Sequence, residues 1–135
     1  MLSRVDEFVR YHETLLGEAV DDCVLSDIAT DGDRSYTELW FFSAHYEFVA
    51  DNFNTGATDI VVTPRHAIDL IRFTAHDYDF RKASEASQLS IYISYVDANS
   101  GELRMSGANC DHVMEIYAKY WKPALVRAAN VVGVA

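Results

Sequence analysis

Ser35-Tyr36-Thr37-Glu38-Leu39-Trp40-Phe41-Phe42-Ser43-Ala44-His45-Tyr46-Glu47-Phe48-Val49 is the stretch on which the fold turns. Read with period two, it places Trp40, Phe42, Ala44, Tyr46 and Phe48 on one face of an extended chain. Phe41, Ser43, His45, Glu47 and Val49 then lie on the other. The aromatic content suits a pleated surface, so residues 35–49 are expected to form one long strand. Just upstream, Asp31-Gly32-Asp33 is turn chemistry, and residues 22–30 read as a shorter strand. Together they signal a hairpin.

Working outward, residues 2–19 carry Val5, Phe8, Val9, His12, Leu15, Leu16 and Ala19 at three- and four-residue spacing, which predicts an amphipathic helix. Downstream, Asp51 to Gly56 reads as a loop and Thr58 to Val62 as a short strand. In residues 64–80, Thr63-Pro64 would suit a helix start, but the content of Ile, Phe, Thr and Tyr favours strand. Strand is the expectation. Residues 81–87 are a polar connection. Residues 88–97 form a strand with Leu89, Ile91, Ile93 and Tyr95 on one face. Asn99-Ser100-Gly101 predicts a hairpin turn back into residues 102–106. A last helix is expected over residues 110–131, capped by Asn109 or Asp111 and kinked or ended near Lys122 by Pro123. The sum is one α+β domain over residues 1–135: a mainly antiparallel sheet of about five or six strands, flanked by an N-terminal and a C-terminal helix.

Composition narrows the class. At 50% hydrophobic and 13% aromatic, the 135 residues can build a core. No apolar run approaches the roughly 20 residues of a membrane span, and acids near the N-terminus argue against a signal peptide. A cytoplasmic protein is expected, with Cys23 and Cys110 as reduced thiols.

The net charge of −10 is unevenly spread. Residues 1–59 carry thirteen of the 21 acids against three of the 11 bases, and the rest of the chain balances. Such a surface disfavours nucleic acid, which asks for clustered Lys and Arg, and anionic membrane. It suits a basic protein partner. The expected docking residues are Asp21, Asp22, Asp27, Asp31, Asp33 and Glu38, with Trp40 and Trp121 as aromatic anchors. Apolar groups on both faces of Trp40-Phe41-Phe42 also allow a homodimer.

Chemical motifs are sparse. Phosphate-loop, dinucleotide and nucleophile-elbow glycine patterns are missing, and the Asp27–Glu38 acids do not have calcium-loop spacing. No metal and no cofactor are expected. Cys110 at a helix start is the best reactive thiol. His45, Glu47, His76 and Tyr95 could line a pocket between a curved sheet and the helices. In the strand reading, His76 and Asp77 point to opposite faces, which divides the His76-Asp77-Asp79 cluster. The leading expectation is a non-catalytic acidic binding module of inhibitor, immunity, adaptor or chaperone type. The alternative is a small-molecule binder or enzyme.

Overall fold

The computed structural model describes residues 2–26, 29–31, 34–36, 38–51, 59–96 and 100–133. The chain forms two compact units, Met1–Pro64 and Arg65–Ala135, joined without any Gly- or Ser-rich linker. The charge imbalance therefore belongs to the first unit alone.

In the first unit, α1 (Leu2–Leu16) is followed by β1 (Asp22–Leu25), β2 (Ala29–Asp31), β3 (Arg34–Tyr36), β4 (Glu38–Phe42), β5 (Tyr46–Asp51) and β6 (Asp59–Pro64). Four of these strands make an antiparallel sheet in the order β1-β4-β5-β6, and β2 and β3 pair separately. The helix stops earlier than the 2–19 expectation. Gly17 takes φ +69° and its N–H donates to the Glu13 carbonyl at 2.9 Å, a left-handed helix end that only glycine adopts without strain.

The stretch 35–49 is not one strand. Ser43-Ala44-His45 turns the chain, closed by the Ser43 N–H donating to the Tyr46 carbonyl at 3.2 Å, and β4 folds back onto β5. The hairpin pairs Phe41 with Phe48 and Phe42 with Glu47. Each even-numbered residue thus faces an odd-numbered one, and the period-two assignment inverts across the turn. Leu39, Phe41, Phe48 and Ala50 form one face, wholly buried, with Phe8 of α1 packed on them and Val5, Val9, Leu16, Ile60 and Val62 around the edge. Phe41 and Phe48 stack with ring centroids 5.5 Å apart. Trp40, Phe42 and Glu47 belong to the opposite face and are also buried.

In the second unit, a single 3-10 turn (Arg65–Ala67) leads into β7 (Ile68–His76), β8 (Gln88–Tyr95) and β9 (Ser100–Ser106), an antiparallel meander. The strand expected within 64–80 is therefore present, while Thr63 and Pro64 end β6 and are followed by the 3-10 turn alone, with no α-helix. Leu89, Ile91, Ile93 and Tyr95 are buried on one face as their alternation requires, with Leu103 and Met105 of β9 beside them. The C-terminal helix packs on this sheet, α2 (Asn109–Ile116) against β9 and α3 (Lys122–Gly133) against β7.

Regular α-helix is interrupted just before Pro123, near the expected Lys122, and resumes as α3. A π-turn, Tyr117–Trp121, precedes it, and the Lys122 N–H donates to the Tyr117 carbonyl five residues back. A proline in a regular helix would lack a donor and crowd the carbonyl four residues earlier. The widened turn absorbs that conflict and keeps Tyr120 and Trp121 facing inward beside Ala124. The expected caps are also absent: the N-cap is Ala108, with no side-chain bond.

Among the described residues there are nine strands, in sheets of four and three plus the β2–β3 pair, where about five or six were expected. The excess arises upstream, where the expected strand 22–30 spans β1 and β2 and the expected strand 35–49 spans β3, β4 and β5. Because Phe41 sits at the centre of the α1 contact, Phe41→Ala should cost about 3–5 kcal/mol, read as a lowered urea-unfolding midpoint.

Candidate functional site

Three polar constellations stand out, each built within one unit. The first is at the exit of α1. Once Gly17 has ended the helix, Glu18 turns back across the β4–β5 turn. Its Oε1 accepts from the Ser43 hydroxyl at 2.7 Å and from the His45 N–H at 3.2 Å. Its Oε2 pairs with the His45 Nδ1. The His45 side chain is 75% exposed, so the pair reaches the surface. The His45 and Ser43 bonds hold the Glu18 carboxyl below its ordinary range. The Glu18 carbonyl meets the Nδ1 of His12 at 3.0 Å.

The second constellation is a row of acidic positions in the sheet register. The sheet register places Glu38 opposite Asp51, and Asp51 opposite Asp59. Three acids thus cross β4, β5 and β6 at one end of the sheet. Like charges at directly opposite positions repel. β1 ends at this side of the sheet, where Leu25 pairs with Leu39.

The third centres on Asp111. Its carboxylate accepts from the Tyr78 hydroxyl at 2.8 Å and the Ala83 N–H at 3.0 Å. It ties the 77–87 connection to the last helix. Burial first, and the Asp111 bond second, push the Tyr78 phenol upward. Asp79 holds the same connection from within through the Arg81 and Lys82 N–H groups.

The expected docking set divides. Glu38 belongs to the acidic row and Asp31 to the separate β2–β3 pair, opposite Arg34, while Asp21 and Asp22 lie at the other end of the sheet, where Asp22 pairs with Phe42. Asp27 and Asp33 fall outside the described residues. Trp40 and Trp121 are 1% and 0% exposed, so both are core residues and offer no open anchor. The expected pocket does not assemble within either unit. His45 is in the turn, whereas Glu47 is wholly buried, so they do not share a strand face. Tyr95 pairs with Ile68 at one end of β7–β8, and His76 pairs with Gln88 at the other.

Cys110 is 0% exposed and its thiol donates to the Met105 carbonyl at 3.6 Å, a packing role that gives no access for chemistry. Cys23 lies exposed on the edge strand β1, and partial desolvation pushes its thiol up to about 11. Among the described residues no group of three or more His, Cys, Asp or Glu could hold a metal ion, and no helix is long and apolar enough to cross a membrane.

Sequence reasoning missed Glu18, Ser43, Asp51, Asp59 and the anchoring role of Asp111. A carboxylate one residue past a helix-ending glycine was the only local signal for Glu18. For Asp51 and Asp59 the signal is the register, which exists only after folding.

The depressed Glu18 carboxyl makes a linkage prediction. A carboxyl held low in the fold adds stability above its unfolded value of about 4.5, and that gain is lost as pH falls through the folded value. Wild type should therefore exceed Glu18→Gln in urea midpoint at pH 7, and the gap should close on acidification below the ordinary carboxylate range.

No protein-family model matches the chain, and no curated protein matches it. A solved structure, the C-terminal domain of an unknown protein from Leishmania infantum, is similar to it with a TM-score of 0.55 at 15% identity. That likeness covers 86% of this chain and 95% of the other, and at such identity it shows a shared fold.

Proposed function

We propose that the protein is a non-catalytic acidic binding module whose first unit docks on a basic protein surface. The observation that carries this reading is the Glu38–Asp51–Asp59 row, set in the unit that holds the whole net charge of −10. Direct like-charge opposition across strands lowers stability, and a cationic partner would turn the same row into a source of binding energy. The row is also pre-organised, because backbone ladders fix its spacing before any partner arrives. In this reading the module works in the cytoplasm as an inhibitor, immunity-type, adaptor or chaperone-like protein. The two tryptophans leave the docking set, and Asp51 and Asp59 join Glu38 and Asp31.

Two expectations test the reading. A tagged chain incubated with extract of its native host at low salt should retain a specific basic protein, and should lose most of it at high salt, where exposed charge pairs are screened. Retention unchanged by salt, or no enriched protein, would count against acidic docking. Asp59→Asn separates function from folding. It should raise stability by about 0.5 kcal/mol through relief of repulsion, yet weaken capture of that partner. A variant that is more stable and binds as well as wild type would remove the row from the interface.

A further inference from the structure

We propose that His12 is a proton-operated latch that holds α1 on its sheet and releases it in mild acid. The inference is independent of the docking reading.

His12 is 0% exposed on the inward face of α1. Its Nδ1 lies 3.0 Å from the Glu18 carbonyl. A carbonyl oxygen only accepts, so Nδ1 carries the hydrogen. The neutral ring then presents a bare Nε2, and that atom is buried with no hydrogen-bond partner. The rings of Phe48 and Phe41 stand 5.3 and 6.2 Å from the imidazole. This arrangement accepts one protonation state. A second proton would place a charge and an N–H donor where no acceptor waits. Attraction to the face of Phe48 returns less than burial of an unpaired cation costs.

Among the described residues no opposite charge faces the ring to balance that proton. Glu18 offers His12 its carbonyl, while its carboxylate is turned to Ser43 and His45. From β1 the register brings Cys23 onto the Phe41 side, and from β5 it brings Tyr46, neither of them an anion at neutral pH. Glu47 is on the opposite sheet face with Phe42. On α1 itself Asp6, Arg10 and Glu13 are exposed and Glu7, half-buried, bonds the exposed Tyr11.

Release of α1 is the least costly answer to the second proton. A helix of 15 residues is marginal alone and depends on its packed face. It runs into the sheet through Gly17, whose φ of +69° makes it the natural pivot. Glu18 just beyond the pivot stays tied to the β4–β5 turn, because its carboxyl is held low and accepts from the Ser43 hydroxyl and the His45 N–H. The strands keep their own ladders. Acid therefore frees α1 and uncovers Leu39, Phe41, Phe48 and Ala50 while the sheet persists.

The test is a pH titration of the isotopically labelled full chain by NMR, following histidine ring nitrogens and backbone amides from about pH 8 to pH 5. At the alkaline end His12 should be the Nδ1–H tautomer. On acidification the Val5–Leu16 amides should shift or broaden with the same midpoint as the His12 ring, while β4 and β5 amides hold. An Nε2–H tautomer at the alkaline end, or α1 amides that stay fixed through the titration, would overturn the latch. His12→Asn keeps a donor for the Glu18 carbonyl and cannot be protonated in this range. Its melting temperature should fall less than that of wild type between pH 7.5 and 5.5, by about 4 °C. An equal fall in both would also overturn it, and if the variant does not fold the wild-type spectra decide alone.

Discussion

The first unit depends on a single cross-strand pair, Phe41 against Phe48. The two rings stack at 5.5 Å on one sheet face, and α1 seats Phe8 and His12 over them. An aromatic pair contributes about 0.5–1.5 kcal/mol beyond its buried area. Its larger effect is positional. With Phe41 opposite Phe48, the register of β4 on β5 is set. That register fixes which residues face α1, which are buried behind, and which acids meet at the sheet end. A slip of one residue would send Trp40 and Phe42 toward α1 and break the Glu38–Asp51–Asp59 alignment.

That constraint explains what was legible in the sequence and what was not. Where one periodicity runs unbroken between clear stops, the reading holds: α1 over Val5 to Leu16, β8 with Leu89, Ile91, Ile93 and Tyr95 inward, and its return as β9. It fails where a turn is made of residues that do not look like a turn. Ser43-Ala44-His45 contains no Gly, Pro, Asn or Asp, and the apolar alternation continues through it, so the hairpin looked like a single strand. What allows the turn is a distant side chain, since Glu18 supplies acceptors for the Ser43 hydroxyl, the His45 amide and the His45 ring. Local propensity could not contain that information, because the bonds span more than twenty residues. The C-terminal helix shows the same limit. Pro123 signals an interruption near Lys122, and the structure takes it as a π-turn, a form that the sequence does not spell out.

The candidate sites were readable to a lesser degree, for a related reason. Charge imbalance is a property of composition and survives into the structure: the acidic first half is the first structural unit. Which acids stand together is a property of register. Asp21 and Asp22 are adjacent in sequence to the acidic cluster yet at the far end of the sheet from Glu38. Asp51 and Asp59 are separated by seven residues yet occupy directly opposite positions. The aromatic anchors failed for another cause. Trp40 and Trp121 were assigned to a surface because apolar residues exceeded what one face could hold. The sheet of the first unit is in fact buried on both faces, so the excess is absorbed inside the fold.

Glu18 gives the first unit its particular character, because one residue serves two histidines in different ways. Its carboxylate holds an exposed imidazole, a contact that protonation of His45 preserves. Its carbonyl holds a buried one, whose second nitrogen has no partner. The two meet on either side of Gly17, where the helix ends. A fold selected for stability alone would fill the His12 position with Leu or Phe, which suits Phe41 and Phe48 better and leaves no orphan nitrogen. The cost of keeping an imidazole there is explained if the docking of α1 is meant to be conditional. The same reasoning applies to the carboxylate row, where opposed charges are also a cost to folding. Both departures from the most stable arrangement fall in the acidic unit, where partner binding and helix release would each recover what folding gave up.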